Sequence, residues 1–588
     1  MLTVSCLLGM VAEPAIAQTA TQANPILKIG IVQRFGDEAQ ETLTLQPVEG
    51  DRLSLRFKTG DQEQTVTTGG AVKVGVMMEP LPEPRVRERV VLSTHRSFES
   101  AEDSAAKWRS RGIQVELAQP QQWQVWAKRD TYSNPLVRRL LLKNLQAQGS
   151  RTAFIDTDIQ RAVPRATIEL NGTRMMRDEV EIVSSYGRVF VTPSDAPSAT
   201  APASERRLYG GSLRLQPNAY DNYTLVNYVP TETYLRGVVP HEIGLRAPEN
   251  TIQAQAILAR TYALRNLRRF EIDGYELCAD TQCQVYRGLT GAAEVSDRAI
   301  LATRGMVMTY RNELIDALYS STTGGVTARF TDVWNGAERP YLRSVVDSVQ
   351  GTWDLALRPL SDEANLRAFL NLRQGFNESD WDTFRWRKES TLTKIETDLR
   401  KFLQGQQHPL ANFTRVDEVR VVERSPAGRV QKLAIQTNLG TVELEKDEIL
   451  RAVYAPDSTL FYLEPVFETV PLAPPSPNAA EIPTDAPNSA AASSPVNLAS
   501  GATPSVATES KTTDKEASLA NNPQTRQVLK GYSFIGGGLG HAVGMSQTGA
   551  YNLGRLGWSA SRILSFYYPG AQLVPLSDRI VIWREPVQ

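Results

Sequence analysis

The sequence predicts a multi-domain α+β chain, in which mixed β-rich modules carry packed helices and one domain is interrupted by a disordered linker. Three observations predict it. Short alternations of apolar and polar residues bounded by Gly and Asp recur along the chain, and stretches with helical spacing and helix caps lie between them. The chain has 588 residues, too many for one core and enough for roughly three or four domains at ~150 residues each. From 471 to 520, 33 of 50 residues are Pro, Ala, Ser or Thr and none is aromatic. Such a segment cannot bury enough apolar surface to offset its chain entropy.

Composition removes several functional classes. Lys+Arg is 64 and Asp+Glu is 65, and no basic block stands out, so nucleic acid is not an expected partner. Four His and three Cys exclude a multi-zinc array or a disulfide-dense scaffold. No window approaches 18 apolar residues, so no transmembrane anchor is expected. At the start, the apolar run Leu2 to Val11 is followed by Ala15-Ile16-Ala17 and then polar Gln18 and Thr19. That pattern reads as a secretory signal over residues 1–17, although Leu2 follows Met1 with no basic residue between. The expected location is therefore exported, in the periplasm or cell envelope.

Taken in order, 26–95 forms an N-terminal β-rich region, with pieces such as Ile26 to Val32 and Leu53 to Phe57 separated by turns. Residues 96–192 read as an α+β module. Val90 to Leu92 leads into a helix from Ser97 to Arg111, capped by Ser97 or Ser100 and ended by Gly112, and then Ile113 to Leu117. The pattern repeats with Trp123 to Trp126, a helix from about Pro135 to Gln148, and Thr152 to Ile155. Two strand–helix–strand units in tandem resemble peptidoglycan-binding SPOR-type modules. After a Pro/Ser/Ala-rich break, 208–245 reads as strands, and Pro248 to about Phe270 as a helix burying one face through Ile252, Ala256, Ala259, Ala263 and Leu267. Residues 362–404 are helical in pattern, and 415–455 form a small antiparallel sheet turning at Pro426 to Gly428. Beyond the linker, a helix near 546–556 and a strand Arg579 to Trp583 close the chain. A piece of roughly 50 residues is too small to stand alone, so it docks on an earlier domain.

Three stretches can carry chemistry. Tyr234 to Gly244 is read as a strand ending at Pro240, with His241 and Glu242 after it. Val238, Val239 and Ile243 would partly desolvate Glu242, raising its pKa and keeping a proton available for general acid work near neutrality. Tyr319 to Gly325 sets Ser320, Ser321, Thr322 and Thr323 before two glycines, with Trp334 beyond them. Hydroxyls and backbone donors there would meet sugar hydroxyls, and Trp334 would stack on a sugar face. Gly536 to Ala550 is a Gly-rich loop opening a helix and carrying His541. It lacks a P-loop Lys and a dinucleotide-binding context, so a nucleotide is not expected. The pair Cys278 and Cys283 reads as a small disulfide loop, as two free thiols or as half of a zinc site. No His lies within fifteen residues of the pair, so the zinc ligand count is short.

Five motifs then occur in one order: Tyr234 to Glu242, Ala254 to Ala263, Cys283 to Gly288, Ser321 to Gly325, and Gly540 to Gln547. Together they resemble the SpoIID/LytB family, over roughly 208–350 plus 530–588. The resemblance implies a SpoIID-like domain interrupted by a disordered linker, and activity on peptidoglycan. Catalytic members look like lytic transglycosylases, with the essential Glu mapping onto Glu242; other members are named as enhancers of cell-wall amidases. His241, Arg260, Tyr262, Ser321, Thr322, Thr323, Gly325, Trp334, His541, Ser546 and Gln547 are the implied substrate-binding residues. Zinc-binding members carry His beside the cysteine pair, whereas Gln282 and Ile272 stand here; no metal and no cofactor is expected.

The expected layout is a signal at 1–17, β-rich 26–95, the α+β module 96–192, a first SpoIID/LytB part at 205–350, a helical and β continuation at 351–465, the linker 466–529 and the closing part 530–588. The expected activity is cleavage of glycan strands with Glu242 as general acid/base. The alternative is a non-catalytic glycan-binding enhancer of a cell-wall amidase. The expected partners are peptidoglycan glycan strands and a cell-wall amidase.

Overall fold

The computed structural model describes residues 17–19, 24–38, 41–193, 206–406, 408–471 and 525–584. Most of the signal segment and most of the expected linker lie outside the described residues. The fold is mixed α and β, as the patterning predicts.

Two sheets open the chain. One runs in the order 277–278, 26–35, 223–230, 212–217, 180–184, 53–59, 62–68. The other contains 173–177, 154–170, 72–95, 42–47, 188–193 and 207–210 in that order. Alternate residues such as Leu53, Leu55, Leu43, Leu45, Val72, Val74, Ile168 and Ile182 point into one shared core, the expected pattern for sheets covered on one face. The strands of 26–95 therefore pair with strands from 154–230 rather than closing a separate unit. The strand Val72–His95 ends where the expected 26–95 region ends.

The far halves of strands 72–95 and 154–170 belong to a module inserted between them. It holds helix α1 (Phe98–Ser110), strands 115–118 and 123–127, and helix α2 (Pro135–Ala147). Ser97 caps α1, and Asn134 caps α2 with Pro135 at its first turn. Sheet order is 115–118, 123–127, 72–95, 154–170, with every neighbouring pair antiparallel. The two strand–helix–strand units are therefore interlocked rather than placed side by side, giving a split βαβ arrangement. On one face α1 and α2 cover Val90, Leu92, Val125 and Ala127. On the other, Val91 and Trp126 pack on Tyr220 and Ile272 of the following domain.

Helix α3 (Thr231–Glu242) corrects the reading of 208–245 as strands. Pro240 lies inside its last turns, and a proline there suggests a break in the sequence. Yet Tyr234, Leu235, Val238 and Val239 sit at helical spacing and are all buried. Helix α4 (Glu249–Arg265) is buried on all sides, not on one face, because α3, helix α5 (Glu294–Ala302), the strand 306–310 and two C-terminal helices surround it. It stops at Arg265, short of Phe270.

Residues 328–471 add helices α6 (Glu363–Asn371), α7 (Leu392–Gly405) and α8 (Glu448–Ala452) around a sheet of 416–424, 430–437 and 440–445. The strand Trp386–Thr391 interrupts the helical stretch expected over 362–404. Helices α9 (Gln547–Arg555) and α10 (Ala560–Tyr567) pack on α4, and strands 572–575 and 581–584 join 306–310 and 313–314 in one sheet. The chain on both sides of 472–524 is thus one body. The second of these C-terminal helices was not foreseen in the sequence. Among the described residues, no helix is long and apolar enough to cross a membrane.

Candidate functional site

Glu242 is the last residue of α3, and Gly244, with φ +75°, turns the chain immediately after it. Gly237 lets the helix approach the 286–288 segment, since a Cβ there would lie 2.0 Å from the Gly288 carbonyl oxygen. That approach brings the Val285 amide to Glu242, where it donates to Oε1 at 2.7 Å.

The Glu242 carboxyl opens into a cavity of about 640 Å³. Burial pushes its pKa above the ordinary carboxyl value, while the Val285 amide, the Gln547 amide and the Tyr319 hydroxyl partly offset the rise. No cationic side chain pairs with it among the described residues. Behind it runs an ordered chain: Tyr234 donates to Gln284 Oε1 at 3.1 Å, and Gln284 Nε2 donates to the Tyr319 hydroxyl oxygen at 3.0 Å. The Tyr319 O–H is thereby left for the carboxyl. Glu99 also lines the cavity, but it is held by Arg269 at 3.1 Å.

Six of the expected residues line this cavity: Glu242, Tyr262, Ser321, Trp334, His541 and Gln547. Gln547 Nε2 donates to the Glu242 main-chain carbonyl at 3.0 Å. His541 accepts from the Val543 amide at Nδ1 and packs at a tilt against Trp334, ring centroids 5.1 Å apart. Burial drives its pKa down to about 4, so it stays neutral, a hydrogen-bonding group rather than a proton source. Trp334 is only 8% exposed, packed between Phe330 and His541, so it offers an edge rather than an open face.

The other expected residues make polar contacts within the protein. Arg260 is 1% exposed and clasps Glu232 through two 2.8 Å bonds, which ties α4 to α3. His241 turns its Nδ1 to the Gly237 carbonyl at 2.9 Å and does not line the cavity. Thr322 bonds Thr383 at 2.7 Å. Thr323 and Gly325 do not present donors to a ligand. Their amides reach the buried Glu378 carboxylate at 2.6 and 2.7 Å, the Thr323 hydroxyl joins at 2.9 Å, and the Ser546 hydroxyl donates to the same group.

Beside that carboxylate, Asp347 is fully buried, and desolvation together with the Glu378 charge pushes its pKa well up. Asp347 in turn accepts from the Asn377 side-chain amide at 2.8 Å and from the Tyr567 hydroxyl at 2.9 Å. No local motif marks Glu378, which lies about fifty residues along from the glycines it secures.

Sequence reasoning also missed the far wall of the cavity. The inserted module supplies Arg96 to Glu99, Gln119 and Gln121 to Trp123, and α8 supplies Arg451. The cysteines need no metal reading: Cys278 and Cys283 are joined in a disulfide. A zinc ion would require free thiolates, so these residues do not fit one.

Two regions of the chain match known protein families. Residues 219–310 match the stage II sporulation protein (SpoIID) family, and residues 328–474 match a domain of unknown function, DUF8618. The chain is 26% identical over 397 residues to an amidase enhancer of Bacillus subtilis, covering 62% of this chain and 47% of that protein. It is 30% identical over 176 residues to the stage II sporulation protein D of the same organism, covering 26% of this chain and 49% of the relative. In each case the match spans about half the length of the relative. With five ordered motifs folded around one cavity, the chain carries a SpoIID domain at residues 219–310 and is similar to SpoIID/LytB proteins.

Proposed function

We propose that this is an exported cell-wall protein that cleaves peptidoglycan glycan strands as a lytic transglycosylase. One observation carries the reading: Glu242 is a buried carboxyl without a cationic partner among the described residues, its pKa raised, facing a polar and aromatic cavity. Because Val285 N–H occupies Oε1, Oε2 is the oxygen that carries the proton. It gives that proton to the glycosidic oxygen as the C1–O bond breaks and oxocarbenium character develops at the sugar. The Glu242 carboxylate then takes the proton of the muramyl 6-hydroxyl, O6 bonds to C1, and a 1,6-anhydro ring closes without water. One carboxylate serves both steps, whereas a hydrolase generally pairs two. Neutral His541 and the ordered Tyr319, whose polar atoms are engaged within the protein, are suited to fix the wall beside Glu242. The split βαβ module, SPOR-like in sequence pattern, is suited to glycan contact as well.

Replacing Glu242 by Gln keeps shape and hydrogen bonding but removes the transferable proton. Turnover of purified glycan strands should fall by ~10²-fold or more while binding persists; full turnover in Glu242→Gln would exclude the assignment. The second reading, a non-catalytic enhancer of a cell-wall amidase, is favoured by the match to an amidase enhancer over 62% of this chain. Adding a purified amidase separates the two: the enhancer reading requires faster amide cleavage with no glycan cleavage by this protein alone.

A further inference from the structure

A second cavity, of about 760 Å³, lies beside the first. Its walls come from the inserted split βαβ module, from Val333 and Asn335, and from the 405–448 region. The two cavities meet at Arg96, Gln121 and Gln122, which line both. Each is within the size range of a small-ligand site, so together they form one groove longer than the Glu242 cavity alone.

The hairpin loop at this junction, Gln119-Pro120-Gln121-Gln122-Trp123-Gln124, is held firmly. Gln119 donates through its side chain to Gln282 at 2.6 Å, and its main-chain amide donates to the Tyr220 hydroxyl at 2.6 Å. Trp123 is buried against Phe98 and Phe270, with ring centroids 5.1 and 5.2 Å away. On this fixed support the side-chain amides of Gln121 and Gln122 make no hydrogen bond to any described residue.

The charges lining the second cavity are largely paired. Arg96 bonds Glu448 at 2.7 Å, Arg89 bonds Asp156 at 2.6 Å, and Lys446 reaches the Trp334 carbonyl and the Asn335 side chain. Two buried polar atoms of this lining have no hydrogen bond to any described residue, Nη1 of Arg96 and Oδ2 of Asp447; the latter lies 3.6 Å from Arg451. Buried donors and acceptors left unmade are costly unless something completes them. A donor, an acceptor and neutral amides call for a neutral polar ligand rich in hydroxyl and acetamido groups. An anion would meet Asp447, and an apolar ligand would leave every one of these groups unpaired.

We propose that the glutamine hairpin and the second cavity form additional saccharide subsites, which take the part of a glycan strand that extends beyond the sugars at Glu242. The proposal rests on the glycan-strand reading of the Glu242 site. It makes the inserted module a determinant of strand length: chains reaching past Gln121 and Gln122 bind more tightly than short ones.

The test uses the full chain carrying Glu242→Gln, so that binding is read without turnover. Size-fractionated, peptide-free glycan strands, short and long, are titrated by fluorescence polarisation. Long strands should bind at least about tenfold more tightly than short ones, and Gln121→Ala with Gln122→Ala should reduce that ratio by about tenfold, since two hydrogen-bonding side chains are lost. Gln122→Trp, which fills the junction, should remove the length dependence as well, with an unchanged circular dichroism spectrum reporting an intact fold. Equal affinity for both lengths, no measurable binding, or a ratio unmoved by both variants overturns the proposal. Turnover by the protein with Glu242 intact is assayed separately on the same strands. Length-dependent binding without cleavage would sink the transglycosylase reading and leave the subsites standing.

Discussion

Gln547 Nε2 donates to the main-chain carbonyl of Glu242 at 3.0 Å, joining residues 305 positions apart. The end of α3 and the start of α9 are therefore one structural unit, although more than half the chain separates them. Ser320 and Ser546 pair in neighbouring parallel strands, and Thr251 bonds the Ala550 carbonyl at 2.9 Å, so the joint is broad.

Removing 530–588 should unfold the 208–350 core. That piece buries Met545, Leu553, Ile563, Leu564, Tyr567 and Tyr568 almost completely. At ~1.5–3 kcal/mol for each buried side chain the loss is comparable with the whole net stability of a domain, ~5–15 kcal/mol. Deleting 475–520 should instead leave stability within about 1 kcal/mol, because Pro471 and Thr525 are cross-strand partners and a hairpin-length connection suffices. Urea unfolding of both variants checks the pair of outcomes; a cooperative, active protein lacking 530–588 would refute the split domain.

Glu378→Ala should destabilise the protein by about 3 kcal/mol or more, since the buried amides of Thr323 and Gly325 would lose their acceptor. Glu378→Gln keeps an acceptor oxygen and should cost less. Denaturant midpoints of the two variants give the ranking.

The paired replacement Cys278→Ser and Cys283→Ser should lower stability by ~2 kcal/mol at most, because the closed loop is short. Glycan cleavage should stay within a few-fold, since Tyr286 N–H to the Ala279 carbonyl and the buried Gln284 side chain hold the loop independently. A large loss of turnover would show that the disulfide itself positions Val285 against Glu242.

Acid should destabilise the fold through two buried imidazoles. Burial lowers His95 and His541 from 6.5 to about 4, so each contributes stability that is present above 6.5 and is lost as pH falls through about 4. His95→Gln retains a hydrogen-bonding group for Ser93, whose hydroxyl lies 2.9 Å from His95 Nε2. Thermal melting of this variant should vary less with pH across that window than melting of the parent protein.

Much of this architecture is legible in the sequence where the signals are local. Ser97, Asn134 with Pro135, and Ser546 mark helix starts that the structure places at those residues. Helix α3 is hidden because Pro240 mimics a strand end. The all-round burial of α4 is hidden because its small residues look like one face when its C-terminal neighbours are far away in sequence. Glu242 is legible through its apolar flanks and its motif. Glu378, Tyr319 and the glutamine hairpin are not, since each acts on residues brought near only by tertiary folding.

Muropeptide mass spectrometry of sacculi digested by the purified protein alone tests the central claim most directly. The account predicts new 1,6-anhydro-muramyl ends, reduced by ~10²-fold or more with Glu242→Gln. Reducing ends instead of anhydro ends, or no new ends without an added amidase, would contradict it.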